Sequence, residues 1–287
     1  MIAVFKHELK NYFHSLTAYL FCAFVLLFVG IGAMLYNIQS AVSNFEYVLE
    51  FVCIGLVVIV PVLTMKVISE EKKQKTDQLL YSLPLKTSHI VLGKYMALLA
   101  VFLIPVAVIS VYPLIFSKYG EVYLPTSYGS LLAFFLLGAA LISIGTFISS
   151  LTENQGFAAG IAIPVLLFNY YSVTLADYIS STVFGSVLGL VIIIMLLALT
   201  VRHLTKNDAP ALGVAMACML GLTALIYFNP DALEGLLPNI MTKLSLFERF
   251  YVFVDGVFDI TSIVFFITVI VFFLFLTVQS LEKRRYN

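Results

Sequence analysis

Long runs without a charged residue alternate with short polar stretches along the chain, and the runs have the lengths of membrane-crossing helices. A helix needs about 20 apolar residues to cross roughly 30 Å of hydrocarbon. Uncharged windows at residues 15–37, 51–65, 95–117, 128–150, 154–176, 178–201, 209–230 and 260–281 predict about eight spans. The second window is the weakest, because only 15 residues separate Glu50 from Lys66 and Pro61 interrupts them. Two other stretches carry a helical period of a different kind. Phe5, Leu9, Tyr12, Phe13 and Leu16 recur on one face, with Lys6, Lys10 and His14 on the other. That pattern predicts an amphipathic interface helix over residues 1–14, lying on the membrane surface ahead of a membrane domain over 15–287. Phe247, Phe250, Tyr251, Val254, Val257 and Phe258 form a second stripe, interspersed with Glu248, Arg249, Asp255 and Asp259. Residues 244–258 therefore read as an outer interfacial or re-entrant helix. The fold class is an all-α polytopic transmembrane helical bundle.

Composition agrees. The chain is 61% hydrophobic with a mean hydropathy of +1.04, far above the usage of soluble domains, and in water it would expose large apolar patches. Sixteen basic and sixteen acidic residues balance, which removes the case for nucleic acid or a polyanionic substrate. Sidedness follows from the lysine and arginine bias. With the N-terminus in the cytoplasm, Lys6, Lys10, Lys66, Lys72, Lys73, Lys75, Lys86, Lys94, Arg202, Lys206, Lys283, Arg284 and Arg285 fall inside, leaving Lys118, Lys243 and Arg249 outside. Both termini are then cytoplasmic. Tyr36, Tyr47, Tyr119, Tyr123, Tyr170, Tyr171, Tyr178 and Tyr227 gather at the outer ends, as interfacial anchors do. The first apolar run is long enough to stay in the membrane, so no cleavable signal peptide is expected.

Catalytic chemistry is hard to find. Cys22, Cys53 and Cys218 all lie in apolar runs and read as packing residues. His7, His14, His89 and His203 fall in or beside cytoplasmic segments, no HExxH sequence occurs, and no carboxylate pair sits at span depth. Membrane enzymes and proton-coupled pumps need such groups. Ser143, Thr146 and Ser150 share a face of the fourth span, and Gly156–Gly160 and Gly185–Gly189 match GxxxG. Helix packing is the favoured reading of both over a substrate path. Gly93-Lys94 lacks the earlier glycine and the following Ser or Thr of a phosphate-cradling loop, so any ATP must be bound by another subunit.

The loop between the second and third spans, residues 69–88, is the largest hydrophilic feature. It opens SEEKKQKTDQLLYSLP, with six charges in sixteen residues. Ser69 to Gln74 reads as solvated; Thr76 can cap a short helix with Asp77 in its first turn, Leu79, Leu80 and Leu83 give that helix an apolar face, and Pro84 ends it. By its physics alone this is either a docking element or a solvated loop. Glu70-Glu71-Lys72, Thr76, Leu79-Leu80, Pro84 and Gly93-Lys94 resemble the first cytoplasmic loop of type 2 ATP-binding cassette (ABC) exporter permeases. The stretch from Leu244 through Asp255-Gly-Val-Phe-Asp259 to the basic cluster at Lys283–Arg285 resembles the gliding-motility-associated branch, and Ser149–Gln155 resembles the family's second cytoplasmic turn. The resemblance spans about residues 1–175 and 240–287. It implies a permease whose charged loop is a coupling helix seated on a cytoplasmic ABC ATPase subunit. Glu70, Glu71, Lys72, Thr76, Asp77, Leu79 and Leu80 would make the main contact, and Glu153 and Asn154 a second. ATP and Mg would sit on that partner, with no cofactor in this chain, and a second permease, identical or related, would complete the assembly in a bacterial-type plasma membrane. Two features depart from the family pattern. Lys75 stands where glycine is usual, and eight spans exceed the common six, which makes 178–230 an inserted pair. An ATP-independent carrier or channel, and a non-transporting accessory subunit, are the competing readings.

Overall fold

A computed structural model describes residues 1–76, 86–178, 183–205, 208–228 and 233–286. Every regular element among them is helical. The chain forms two compact units, one of Met1–Tyr170 with Arg249–Asn287 and one of Tyr171–Glu248.

In the first unit, α1 (Ile2–His14) leads into α2 (Leu16–Gly32), which ends in a π-helical turn, Ala33–Gln39. Then come α3 (Glu46–Thr64), the short α4 (Ser69–Gln74), α5 (Thr87–Ile109), α6 (Tyr112–Phe116), α7 (Leu124–Leu151) and α8 (Gln155–Tyr170). Among the described residues, five helices or continuous helical stretches are long and apolar enough to cross a membrane: Leu16–Gln39, Glu46–Gln74, Thr87–Phe116, Leu124–Leu151 and Ile260–Arg284. The last belongs to α14 (Ile260–Tyr286). A sixth follows if α8 and α9 (Ser172–Tyr178) make one broken span. Among the described residues the second unit holds α9, α10 (Val183–Thr205), α11 (Asp208–Phe228) and α12 (Leu236–Leu244). Helices thus also occupy the sixth and seventh expected windows, with α10 packed on α11 and α12. A last short helix, α13 (Leu246–Val254), precedes α14.

The weak second window becomes a full helix by starting at Glu46, before the last two outer charges rather than after them. Glu46 is buried and accepts a 2.8 Å hydrogen bond from the Ser127 hydroxyl on α7, and a carboxylate in a first turn suits the positive end of the helix. This helix and α7 form the core. Their apolar windows are 67% and 78% buried, against 22% for α14. Lipid is as apolar as leucine, so helices associate in a membrane through close packing and polar contacts. Glycine supplies the closeness: a Cβ at Gly145 of α7 would overlap Thr64 of α3, and one at Gly138 would overlap the Phe102 ring of α5. The hydroxyls of Ser143, Thr146 and Ser150 return to carbonyls of their own helix, as packing residues do. Of the two GxxxG matches, Gly189 lies against Leu237 within the second unit, whereas Gly160 meets nothing within 4 Å.

Within residues 244–258, the helix is α13, Leu246–Val254. Phe250 and Phe253 are buried, Phe250 against Phe134 of α7, and the Ser130 hydroxyl donates to the Phe253 carbonyl at 2.8 Å. Gly256 at φ +85 turns the chain toward α14, whose start is capped by Asp259 accepting from the Thr261 and Ser262 amides, both at 3.0 Å.

Candidate functional site

At one end of the first unit, five stretches of chain meet through polar side chains: α1, the turn into α4 with α4 itself, the start of α5, the α7–α8 turn and the end of α14. Lys66, Lys72, Lys94 and Arg284 are among the lysines and arginines that lie here, so this is the basic end.

The chain leaves α3 in a turn at residues 65–68. Ser149 of α7 secures it, accepting the Ile68 and Ser69 amides at 3.3 and 3.2 Å and donating to the Met65 carbonyl at 3.1 Å. Ser69–Gln74 is a helix rather than a solvated stretch, with Ser69 and Lys72 buried. Glu70 faces the partly open side, where Gln74 donates to it at 3.3 Å. Glu71 turns inward and takes a 2.6 Å ion pair from Lys94. Lys72 turns inward on the other side and donates to the Ser150 carbonyl. Lys75 ends the helix in the left-handed conformation, φ +57. The residue that departs from the family pattern thus adopts the backbone that glycine would. Thr76 closes the turn, its amide donating to the Glu71 carbonyl at 3.0 Å. Asp77, Leu79 and Leu80, with Leu83 and Pro84, lie outside the described residues.

The α7–α8 turn is tied to the same group. Asn154 caps α8, its side-chain oxygen accepting the Gly156 and Phe157 amides at 2.9 and 3.3 Å. Glu153 pairs with Arg284 of α14 at 2.6 Å, and that guanidinium holds its carboxyl below the usual glutamate range. Ser280 of α14 donates to the Ser150 carbonyl at 3.2 Å, so α4 and α14 share one acceptor. On the far side of α4, a cleft of about 790 Å³ opens toward α1, lined in part by His7, Tyr12, Lys66, Glu70, Gln74 and Thr76. Burial first, and then Glu8, Glu71 and Glu70, push the Tyr12 hydroxyl well above its usual range. Among the described residues no His, Cys, Asp and Glu cluster could hold a metal ion.

Of the expected contact residues, Glu70, Glu71, Lys72, Thr76, Glu153 and Asn154 are therefore described, and α4 is hydrogen-bonded to Ser149 and Ser150 at the end of α7, from which the second loop leaves. Glu70, Thr76 and Glu153 have open sides; Glu71 and Lys72 are spent on holding α4 in place. Sequence reading missed Glu8 and Ser280 as members, and marked Ser149 only as part of the second cytoplasmic turn. Only Glu8 carried a local signal, being a carboxylate three residues from Phe5 and four from Tyr12 on the apolar face of α1.

A membrane-embedded helical bundle with a polar, cross-tied basic end is a shape many transporters share, and residues 33–176 decide among them. This half of the chain matches the family described as ABC-2 family transporter protein. The chain belongs to that family. No curated protein gives a significant match. As a member, the chain is a multi-pass membrane protein and a permease subunit of an ABC transporter. Its family domain is a permease and not a catalytic domain, and such permeases generally work with an ATPase subunit. The matched residues include α4, Lys94 and the α7–α8 turn.

Proposed function

We propose that this permease belongs to an exporter that moves a hydrophobic or amphipathic substrate outward, driven by ATP hydrolysed on a separate cytoplasmic subunit. The ATPase docks on α4 with residues 75–88 as the main contact and on Glu153 and Asn154 as the second. A second permease, identical or related, completes the membrane assembly, and the gliding-motility-associated branch is the subfamily it resembles. The observation that carries this reading is the joining of the two loops at Ser149–Ser150: Lys72 and Ser280 converge on one carbonyl, and Ser149 holds the root of α4. A partner pressing on either loop would load both, and through them α3, α7 and α14.

Purification of the tagged full-length chain from its native membranes in mild detergent, followed by mass spectrometry, tests the reading. A stoichiometric soluble protein with Walker motifs is the expected result. Glu70→Lys should then uncouple ATP hydrolysis from transport, because Glu70 faces outward and its loss leaves the Lys94 and Lys72 contacts intact. Reproducible absence of such a protein from a folded, monodisperse sample would overturn docking and leave the ATP-independent carrier.

A further inference from the structure

Gly93 and Lys94 lie in the second turn of α5, and each makes a close contact with α1. Gly93 lies where α1 crosses α5: a Cβ there would stand 3.0 Å from the Val4 Cβ and 3.1 Å from the Met1 carbonyl oxygen. Glycine lets the first turn of α1 lie directly on the helix. One residue on, Lys94 is 2% exposed. Its ammonium donates to Glu8 Oε1 at 2.7 Å, Glu71 Oε1 at 2.6 Å and the Val67 carbonyl at 3.1 Å. An ammonium has three donors, and all three are taken by distinct stretches: α1, α4 and the turn between α3 and α4. A buried ion pair adds little net stability, since desolvation offsets the attraction, but it can enforce one arrangement of the parts that carry it. Without the ammonium, the Glu8 and Glu71 carboxylates, 12% and 24% exposed, would repel each other at the wall of the cleft between α1 and α4, and α1 would be loosened from α4.

We propose that Lys94 is the positioning residue that locks the amphipathic helix α1 to α4, so that any displacement of α4 is passed to α1 at the membrane surface. The lock stands on this geometry; its use in transport rests on the reading of α4 as the docking element.

Amide hydrogen exchange on the full-length chain in mild detergent tests the lock. Lys94→Glu places three carboxylates together, and exchange in residues 2–14 should quicken by at least about tenfold while α7 keeps its protection. The swap Glu8→Lys with Lys94→Glu restores one cation among two carboxylates, and should recover most of the α1 protection, which a general loss of packing would not allow. Lys94→Met gives the same direction should Lys94→Glu fail to fold. Wild-type exchange in α1 of either single variant, with α7 protected, overturns the proposal. The transport role is read in the complex with the co-purified ATPase. Trapping with ATP and vanadate should alter exchange in α4 and α1 of the wild type, but in α4 alone of Lys94→Met. An undiminished α1 response in Lys94→Met overturns the transmission step. A wild-type chain that captures no ATPase removes the docking reading, and the swap experiment still decides the lock.

Discussion

Lys75 shows what a single backbone position can reveal. It ends α4 at φ +57, a conformation that costs a residue with a side chain roughly 1–2 kcal/mol. Glycine adopts it freely but gives back about 0.5–1 kcal/mol through its greater freedom in the unfolded chain. The balance favours glycine slightly, so Lys75→Gly should raise the thermal midpoint in detergent by about 1–3 °C. A lowered midpoint would mean that the Lys75 side chain makes a contact worth more than the strain it imposes. The substitution also separates two roles of the segment, since it leaves Glu71 and Lys72, the residues that hold α4, untouched.

Between helices, the decisive property is how closely backbones approach. Gly145 is pressed against Thr64 where α7 meets α3, whereas Gly160 of α8 meets nothing within 4 Å. Gly145→Ala should therefore destabilise the bundle by about 1–3 kcal/mol through overpacking. Gly160→Ala should be neutral or slightly stabilising, because alanine is the better helix former. Thermal unfolding of the two variants side by side checks this, and equal midpoints would contradict the packing described for α3 and α7. The same contrast explains what was legible in the sequence. Apolar windows mark helices reliably because backbone polar groups in lipid must be satisfied within the helix, so the helices from 15 to 176 and the last one could be read directly. Which helices form the core could not be read so easily. The shortest window, around Pro61, belongs to one of the two most buried helices, since hydrophobicity does not distinguish a lipid-facing from a helix-facing residue. The charged loop was legible as a polar feature, but its inward ties were not. Glu71 finds Lys94 23 positions on, Ile68 and Ser69 find Ser149 about 80 positions on, and no local period marks such pairs.

At the scale of the whole molecule, the basic end constrains the path of the chain. It gathers α1, α4, the C-terminal end of α7 and the C-terminal end of α14, through Lys94, Ser149 and the Glu153–Arg284 pair. The two chain ends therefore lie on one side. Because α7 finishes on that side and α14, about 40 Å long at 27 residues, starts on the other, the chain between Leu151 and Ile260 must cross an odd number of times. One crossing by α8 with α9 satisfies this, and so do three if α10 and α11 also span. The positive-inside bias assigns the shared side to the cytoplasm. In a chain freed of Cys22, Cys53 and Cys218, a single cysteine at Thr76 or Lys283 should be labelled by a membrane-impermeant maleimide only in inside-out vesicles. One at Gly120, in the loop between α6 and α7, should be labelled only in right-side-out vesicles. Labelling of positions 76 and 283 from opposite sides would contradict the clustering at the basic end. Labelling of both from outside would keep the clustering and reverse the orientation, placing α4 where no cytoplasmic ATPase could reach it.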